Sequence, residues 1–274
     1  MLDIQTSVSY YKPWTIFWLT VLVAHIYFDI AIYKRLRLWF SGMVLRDLKR
    51  KKIGLILKIW VYEVFFQRHL YGLSPYRWIV HLFIFWGFIA LSSLSITTFM
   101  VWLAGLLKID GGHTPSILYG NGYPLIKLWG NSFGLTLLIG LVIAFYRRFF
   151  IRPAQQLNEQ MDVVLLLFLL WLTVSGFALE AMRISLISPD LAKYSFVSYI
   201  FAPMGRYSLE ELSPVLTVIW ILHSFSGVLL LVYIPHSKLM HSLIGPLLIA
   251  VNAAQDHERR DIYWPEAKRY RAKR

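Results

Sequence analysis

Apolar residues in this chain do not alternate with polar ones at a helical or strand period. They come in long unbroken blocks. About 20 mainly apolar residues cross the roughly 30 Å hydrocarbon layer of a bilayer as a helix. Five blocks meet that length. The first runs from Trp14 to about Tyr33 and is closed by Lys34-Arg35-Leu36-Arg37. The second, Trp78 to Leu107, contains no Asp, Glu, Lys or Arg. The third covers roughly Leu128 to Tyr146 and stops at Arg147-Arg148, and the fourth covers Val163 to about Met182. The fifth starts near Pro214 and remains apolar past Tyr233, so the pattern predicts a helix kinked at Pro235 and continuing to about Ser242. The expectation is an all-α membrane protein with five transmembrane helices.

The segments between the blocks differ in kind. Residues 53–66 are apolar but interrupted by Lys58 and Glu63, which predicts a short interfacial helix within a loop spanning 34–77. Segments 108–127 and 184–213 are rich in Gly, Pro, Ser and Tyr. Residues 256–274 form a basic tail after a membrane domain covering 1–255. No internal repeat is visible, which argues against an inverted-repeat transporter. The N-terminal Met-Leu-Asp-Ile-Gln lacks a basic stretch, so the first apolar block reads as a span and not as a cleaved leader.

Composition agrees with this reading. Of 274 residues, 57% are hydrophobic and 16% charged, against about 25% charged in soluble domains. The net charge of +13 would suggest nucleic acid in a soluble protein, but here its distribution decides its meaning. Segments 34–77, 147–162 and the chain from 235 onward hold twenty-two Lys or Arg, and the other side holds six: Lys12, Lys108, Lys127, Arg183, Lys193 and Arg206. That bias places the N-terminus outside and the C-terminus in the cytoplasm of an inner membrane, with no nucleic-acid partner expected. The basic face suits anionic lipid or a docked subunit. There is no cysteine, which excludes disulfides, thiolate zinc sites and cysteine-ligated clusters in this chain.

Any redox work must therefore use a cofactor held by histidine or methionine, or a cofactor on a partner. Eight histidines are present: His25, His69, His81, His113, His223, His236, His241 and His257. A six-coordinate b-type haem needs two neutral imidazoles from different helices in an apolar slot. On one continuous helix, His223 and His241 are eighteen residues apart, five turns, on one face and separated by about 27 Å. His236, thirteen residues from His223, falls about 220° round and reads as an interfacial or supporting residue. His81 matches His241 in depth, and His25 matches His223. The alternative is that each histidine hydrogen-bonds a neighbouring helix. His69, His113 and His257 lie in loops or the tail.

These residues resemble a known family. The stretch from His223 through Gly227 and Ile234-Pro-His-Ser-Lys238 to His241 is similar to the last helix of respiratory nitrate reductase gamma subunits. Gln67 to Phe88, including His81 and Gly87, is similar to that family's second helix. It most resembles the branch of heterodisulfide reductase membrane subunits and of membrane cytochromes linked to sulfite reduction, as does Ser175-Gly-Phe-Ala-Leu-Glu180-Ala-Met-Arg183. The resemblance implies a dihaem cytochrome b subunit. Such a protein exchanges electrons between a membrane quinone of menaquinone type and a cytoplasmic iron–sulfur catalytic subunit. It implies His81 and His241 as ligands of the cytoplasmic-side haem and His223 as one ligand of the outer haem. Where nitrate reductase gamma subunits carry a second helix-two histidine, this chain has Leu91. Either His25 takes that place or the outer haem is absent or differently bound.

Within this reading, Glu180 can take a quinol proton on the outer side, with Arg183 beside it. The two can equally form an i,i+3 surface pair without functional consequence. Asp29 can likewise pair with a nearby base. Arg77 and Lys238, close to His81 and His241, are candidates for contacts to haem propionates or to lipid phosphate. Two other functions compete: a cofactor-free anchor for a cytoplasmic enzyme, and a proton or metal transporter using membrane histidines.

Overall fold

The computed structural model describes residues 13–40, 53–113, 116–117, 121–151, 160–187, 193–202 and 209–255. The tail 256–274 with His257, the basic run 46–52, Lys12 and Arg206 lie outside the described residues. In chain order the helices are α1 (Pro13–Phe40), α2 (Ile53–Trp60), α3 (Arg68–Leu73), α4 (Pro75–Leu106), α5 (Tyr123–Tyr146), α6 (Gln160–Ile187), α7 (Phe196–Ile200), α8 (Leu209–Tyr233) and α9 (Met240–Gln255). Among the described residues, five helices are long and apolar enough to cross a membrane, and these are α1, α4, α5, α6 and α8. The chain is a multi-pass membrane protein.

Local chemistry explains the ends. Ser74 caps α4: its extended backbone (φ −164°, ψ 110°) lets its Oγ accept from the Arg77 amide at 3.4 Å, and Pro75 occupies the first turn. Past α4, Lys108 (φ 56°), Gly111 (φ 60°) and Gly112 (φ 82°) turn the chain through left-handed conformations. The expected interfacial segment 53–66 is helical as α2 followed by a π-turn, Val61–Phe65.

The fifth block departs from expectation. It is not one helix kinked at Pro235 and running to Ser242. Helix α8 ends at Tyr233, a 3₁₀ turn covers Ile234–His236, and a new helix starts at Met240. Pro235 supplies no N–H to continue the α-ladder. Ser237 then adopts an extended backbone (φ −111°, ψ 172°), donates its hydroxyl to the Ile234 carbonyl at 3.0 Å and accepts from the Leu239 amide at 3.1 Å. His223 and His241 therefore lie on different helices, and the five-turn relation between them does not hold.

The chain forms two compact units, 1–69 with 228–274, and 70–227. In the 70–227 unit, α4 and α5 are in close contact at glycines. A Cβ on Gly87 would lie 2.5 Å from Leu137 Cβ, and one on Gly140 would lie 2.9 Å from the Ile84 amide nitrogen. Small residues that let backbones meet are how helices associate in lipid, where no hydrophobic force drives them together. Trp129 adds an Nε1 hydrogen bond to the Ala90 carbonyl at 3.0 Å. Between α5 and α6, Gly134 receives the Phe177 ring. In the other unit, α2 packs on α9, and Trp60 Nε1 donates to the Pro246 carbonyl at 3.0 Å.

Candidate functional site

His223 lies midway along α8, half-buried, beside a stretch of α6 built to receive it. Its Nδ1 is 2.8 Å from Ser175 Oγ. The Ser175 hydroxyl also lies against carbonyls of its own helix, Trp171 (2.7 Å) and Leu172 (3.2 Å). With its one hydrogen given to Trp171, the oxygen accepts from His223, and Nδ1 is then the nitrogen that carries the ring proton. In the neutral imidazole that makes Nε2 the basic nitrogen. Gly176 lies against the same ring: a Cβ there would be 3.2 Å from His223 Cε1. Trp171, one turn earlier on α6, donates Nε1 to Ser226 Oγ on α8 at 3.2 Å.

Two other histidines show the same polarity within the 1–69/228–274 unit. His25 Nδ1 lies 2.8 Å from the Val21 carbonyl, and His241 Nδ1 bonds the Lys238 carbonyl. A carbonyl only accepts, so each Nδ1 donates and each Nε2 is the basic nitrogen. His236 differs, because its Nε2 is the nitrogen engaged, 2.8 Å from Tyr27 Oη. That contact ties α1 to the 3₁₀ turn. His81 is exposed near the start of α4, one turn after Arg77. His81 and His223 belong to the 70–227 unit, His25 and His241 to the other.

The polarity of these rings is that of imidazoles able to ligate iron. A ligating imidazole commonly donates its second ring N–H to an oxygen, which fixes its tautomer and orientation, and this is the state of His25, His223 and His241. Haem demands two ring nitrogens, not a cluster. Among the described residues, no group of three or more His, Asp or Glu able to hold a bare metal ion is formed.

The second polar centre joins α5, α6 and α7. Glu180 Oε2 accepts from Lys127 Nζ and from Arg183 NH2, each at 2.5 Å, and Oε1 accepts from Ser195 Oγ at 2.7 Å. Lys127 and Glu180 side chains are 8% and 12% exposed, against 39% for Arg183. Tyr123 places its ring 4.6 Å from Lys127 Nζ and 5.3 Å from the Arg183 guanidinium carbon. Next to this, Asn131 Oδ1 accepts from the amides of Val197 (3.2 Å) and Ser198 (3.1 Å), capping α7 from another helix, while its Nδ2 donates to the Lys127 carbonyl.

The structure thus brings Glu180 and Arg183 together as expected and adds Lys127, Asn131, Ser195 and Ser198, which the apolar pattern leaves in loops or unremarked. Lys127 carried a usable signal: it falls at the start of an otherwise apolar span, where a cation needs a partner. Asp29 is exposed, and among the described residues no ion pair reaches it. Arg77 is on the first turn of α4, and Lys238 precedes α9.

Comparison with known proteins adds a family. Residues 57–249 match the family model of HdrE, a subunit of dihydromethanophenazine:CoB--CoM heterodisulfide reductase. The HdrE of Methanosarcina barkeri (strain Fusaro) is 29% identical over 219 residues, covering 79% of this chain and 73% of that protein. The one from Methanosarcina mazei is 30% identical over 199 residues, covering 72% and 68%. A more distant likeness is to an "EtfAB:quinone oxidoreductase" of Syntrophomonas wolfei, 24% identical over 253 residues, which are 86% of this chain and 33% of that protein. No solved structure matches it.

Proposed function

The chain belongs to the HdrE family of heterodisulfide reductase membrane subunits, and from that premise we propose that it is a b-type cytochrome that passes electrons from a reduced lipid-soluble carrier to a cytoplasmic iron–sulfur catalytic partner. The observation that carries the proposal is His223. It is an apolar-span histidine whose Nδ1–H is accepted by Ser175, so that Nε2 is the ligating nitrogen. His25 and His241 have the same polarity.

In this reading His81 and His241 hold one haem b and His223 with His25 a second. Arg77 and Lys238 serve the propionates of the first. When bound, haem supplies one-electron transfer between the two-electron carrier and the partner. The carrier is a quinone or a phenazine, the latter being the class that the names of the Methanosarcina relatives give for theirs. The basic segments lie on the cytoplasmic side and offer the partner a docking face. The tail 256–274 contributes to that face.

Oxidation of the reduced carrier releases two electrons and two protons. Glu180 Oε1 is the proposed acceptor of one proton, since its neighbour Ser195 Oγ is a hydroxyl that can turn from donor to acceptor as the carboxylate is protonated. Arg183 and Lys127 orient the carboxylate through Oε2. A second reading is favoured by the same geometry: with three donors on its two oxygens, Glu180 is a strut joining α5, α6 and the start of α7.

Anaerobic mixing of the purified chain with a reduced menaquinol or phenazine analogue separates these. The cytochrome proposal expects the b-type absorbance bands to appear, and Glu180→Gln to slow them by about a hundredfold, the low end for loss of a general base, with haem content unchanged. A Glu180→Gln protein that is less stable but reduced at the wild-type rate assigns Glu180 to the strut. A preparation shown to have retained its cofactors yet containing no haem would overturn the cytochrome.

A further inference from the structure

We propose that Ser175 and Gly176 are positioning residues for His223: the Ser175 oxygen sets the donor strength of the ligand and Gly176 sets the plane of its ring. The inference rests on the cytochrome reading above and deepens it, since family membership assigns no role to either residue.

We assign the single Ser175 hydroxyl hydrogen to the Trp171 carbonyl, the nearest of its three possible acceptors at 2.7 Å, so that the oxygen meets His223 as an acceptor. Donation to that carbonyl polarises the hydroxyl and makes its oxygen a better acceptor. Ser175 is 3% exposed, so water does not compete for the bond. An Nδ1–H held this way leaves more electron density on Nε2, and a more basic imidazole ligand would favour ferric over ferrous iron. Ser175 would thus hold the potential of a haem bound by His223 down.

Gly176 acts through space. The ring edge rests on its Cα–H surface, and the added Cβ of any other residue would lie 3.2 Å from Cε1, 3.9 Å from Nε2 and 4.0 Å from Nδ1. Contact at 3.2 Å requires the imidazole to give by a few tenths of an ångström. A ring pushed off Gly176 loses its alignment with the Ser175 oxygen. The Trp171–Ser226 hydrogen bond pairs with Ser175–His223 in antiparallel register, 171 with 226 and 175 with 223. It therefore opposes a rotation of α8 that would relieve the contact. The ring's plane and its ligating nitrogen are both dictated by two consecutive residues of α6.

The test is an optical redox titration of the whole purified chain, with the haem that depends on His223 identified first as the one lost in His223→Ala. Ser175→Ala is expected to shift the midpoint of that haem to more positive potential, to leave any other haem where it was, and to keep the haem count. Ser175→Thr, which retains the hydroxyl, is expected to restore the wild-type midpoint. Gly176→Ala is expected to change the low-spin ferric signal of the same haem or to release it. An unmoved midpoint and spectrum in Ser175→Ala overturns the role of Ser175, and equal shifts in the Ala and Thr variants reassign it to packing. An unaltered spectrum in Gly176→Ala overturns the role of Gly176. Retention of every haem in His223→Ala removes the cytochrome reading at this site and the positioning roles with it, a result distinct from the other three.

Discussion

Two polar centres in the 70–227 unit are built from the same helix, α6, and use their hydrogen bonds in opposite ways. At Glu180 every polar atom is matched inside the protein: three donors meet the carboxylate, and Asn131 closes the neighbouring amides of α7. At His223 the protein matches one ring nitrogen, Nδ1, with the Ser175 hydroxyl. A saturated network in an apolar span joins helices, because each buried polar atom left unmatched would cost free energy. A half-matched imidazole is the chemistry of a ligand. The contrast is between a network matched on every atom and a ring matched on one nitrogen.

The strongest way to break that contrast is to open the saturated centre. Lys127→Met leaves Glu180 with one cation instead of two, and loss of one partner of a buried pair costs about 3 kcal/mol. Denaturation in mixed detergent micelles should show that loss, while haem per folded chain stays unchanged. Fewer haems in the folded fraction would mean that the two centres are one. Asn131→Ala removes a cap, at about 1 kcal/mol, and its expected signature is local: faster hydrogen exchange at the Val197 and Ser198 amides. Trp171→Phe is the mildest, removing one hydrogen bond worth about 0.5–1 kcal/mol. Because that bond is proposed to fix α8 against α6, its expected effect is a broadened His223-haem spectrum with little change in stability. A sharp wild-type spectrum would limit the positioning to Ser175 and Gly176.

Most of the fold was legible because a membrane span leaves a simple mark, some twenty apolar residues in a row, and five such rows stand in the chain. Its exception is instructive. Hydropathy does not register Pro235, since Ile234 and Leu239 are as apolar as the residues before them, but the backbone does, through a missing N–H and the competing hydroxyl of Ser237. A histidine in a span is conspicuous by itself, so His25, His81 and His223 stand out as candidates one by one. The partners do not. Ser175 and Gly176 are ordinary residues of α6 until α8 brings a ring against them. Lys127 and Asn131 lie on one helix and Ser195 in a loop, and only the packed structure places the first and last on Glu180. Glu180 and Arg183, three residues apart on one helix, were readable as a pair.

We propose that His223 ligates haem through the nitrogen that Ser175 leaves basic. The most direct measurement is haem per chain by pyridine haemochrome on the purified protein, wild type against His223→Ala, each shown to be folded. Two b haems are expected in the wild type and one fewer in the variant. Equal haem content in the two proteins would contradict the claim.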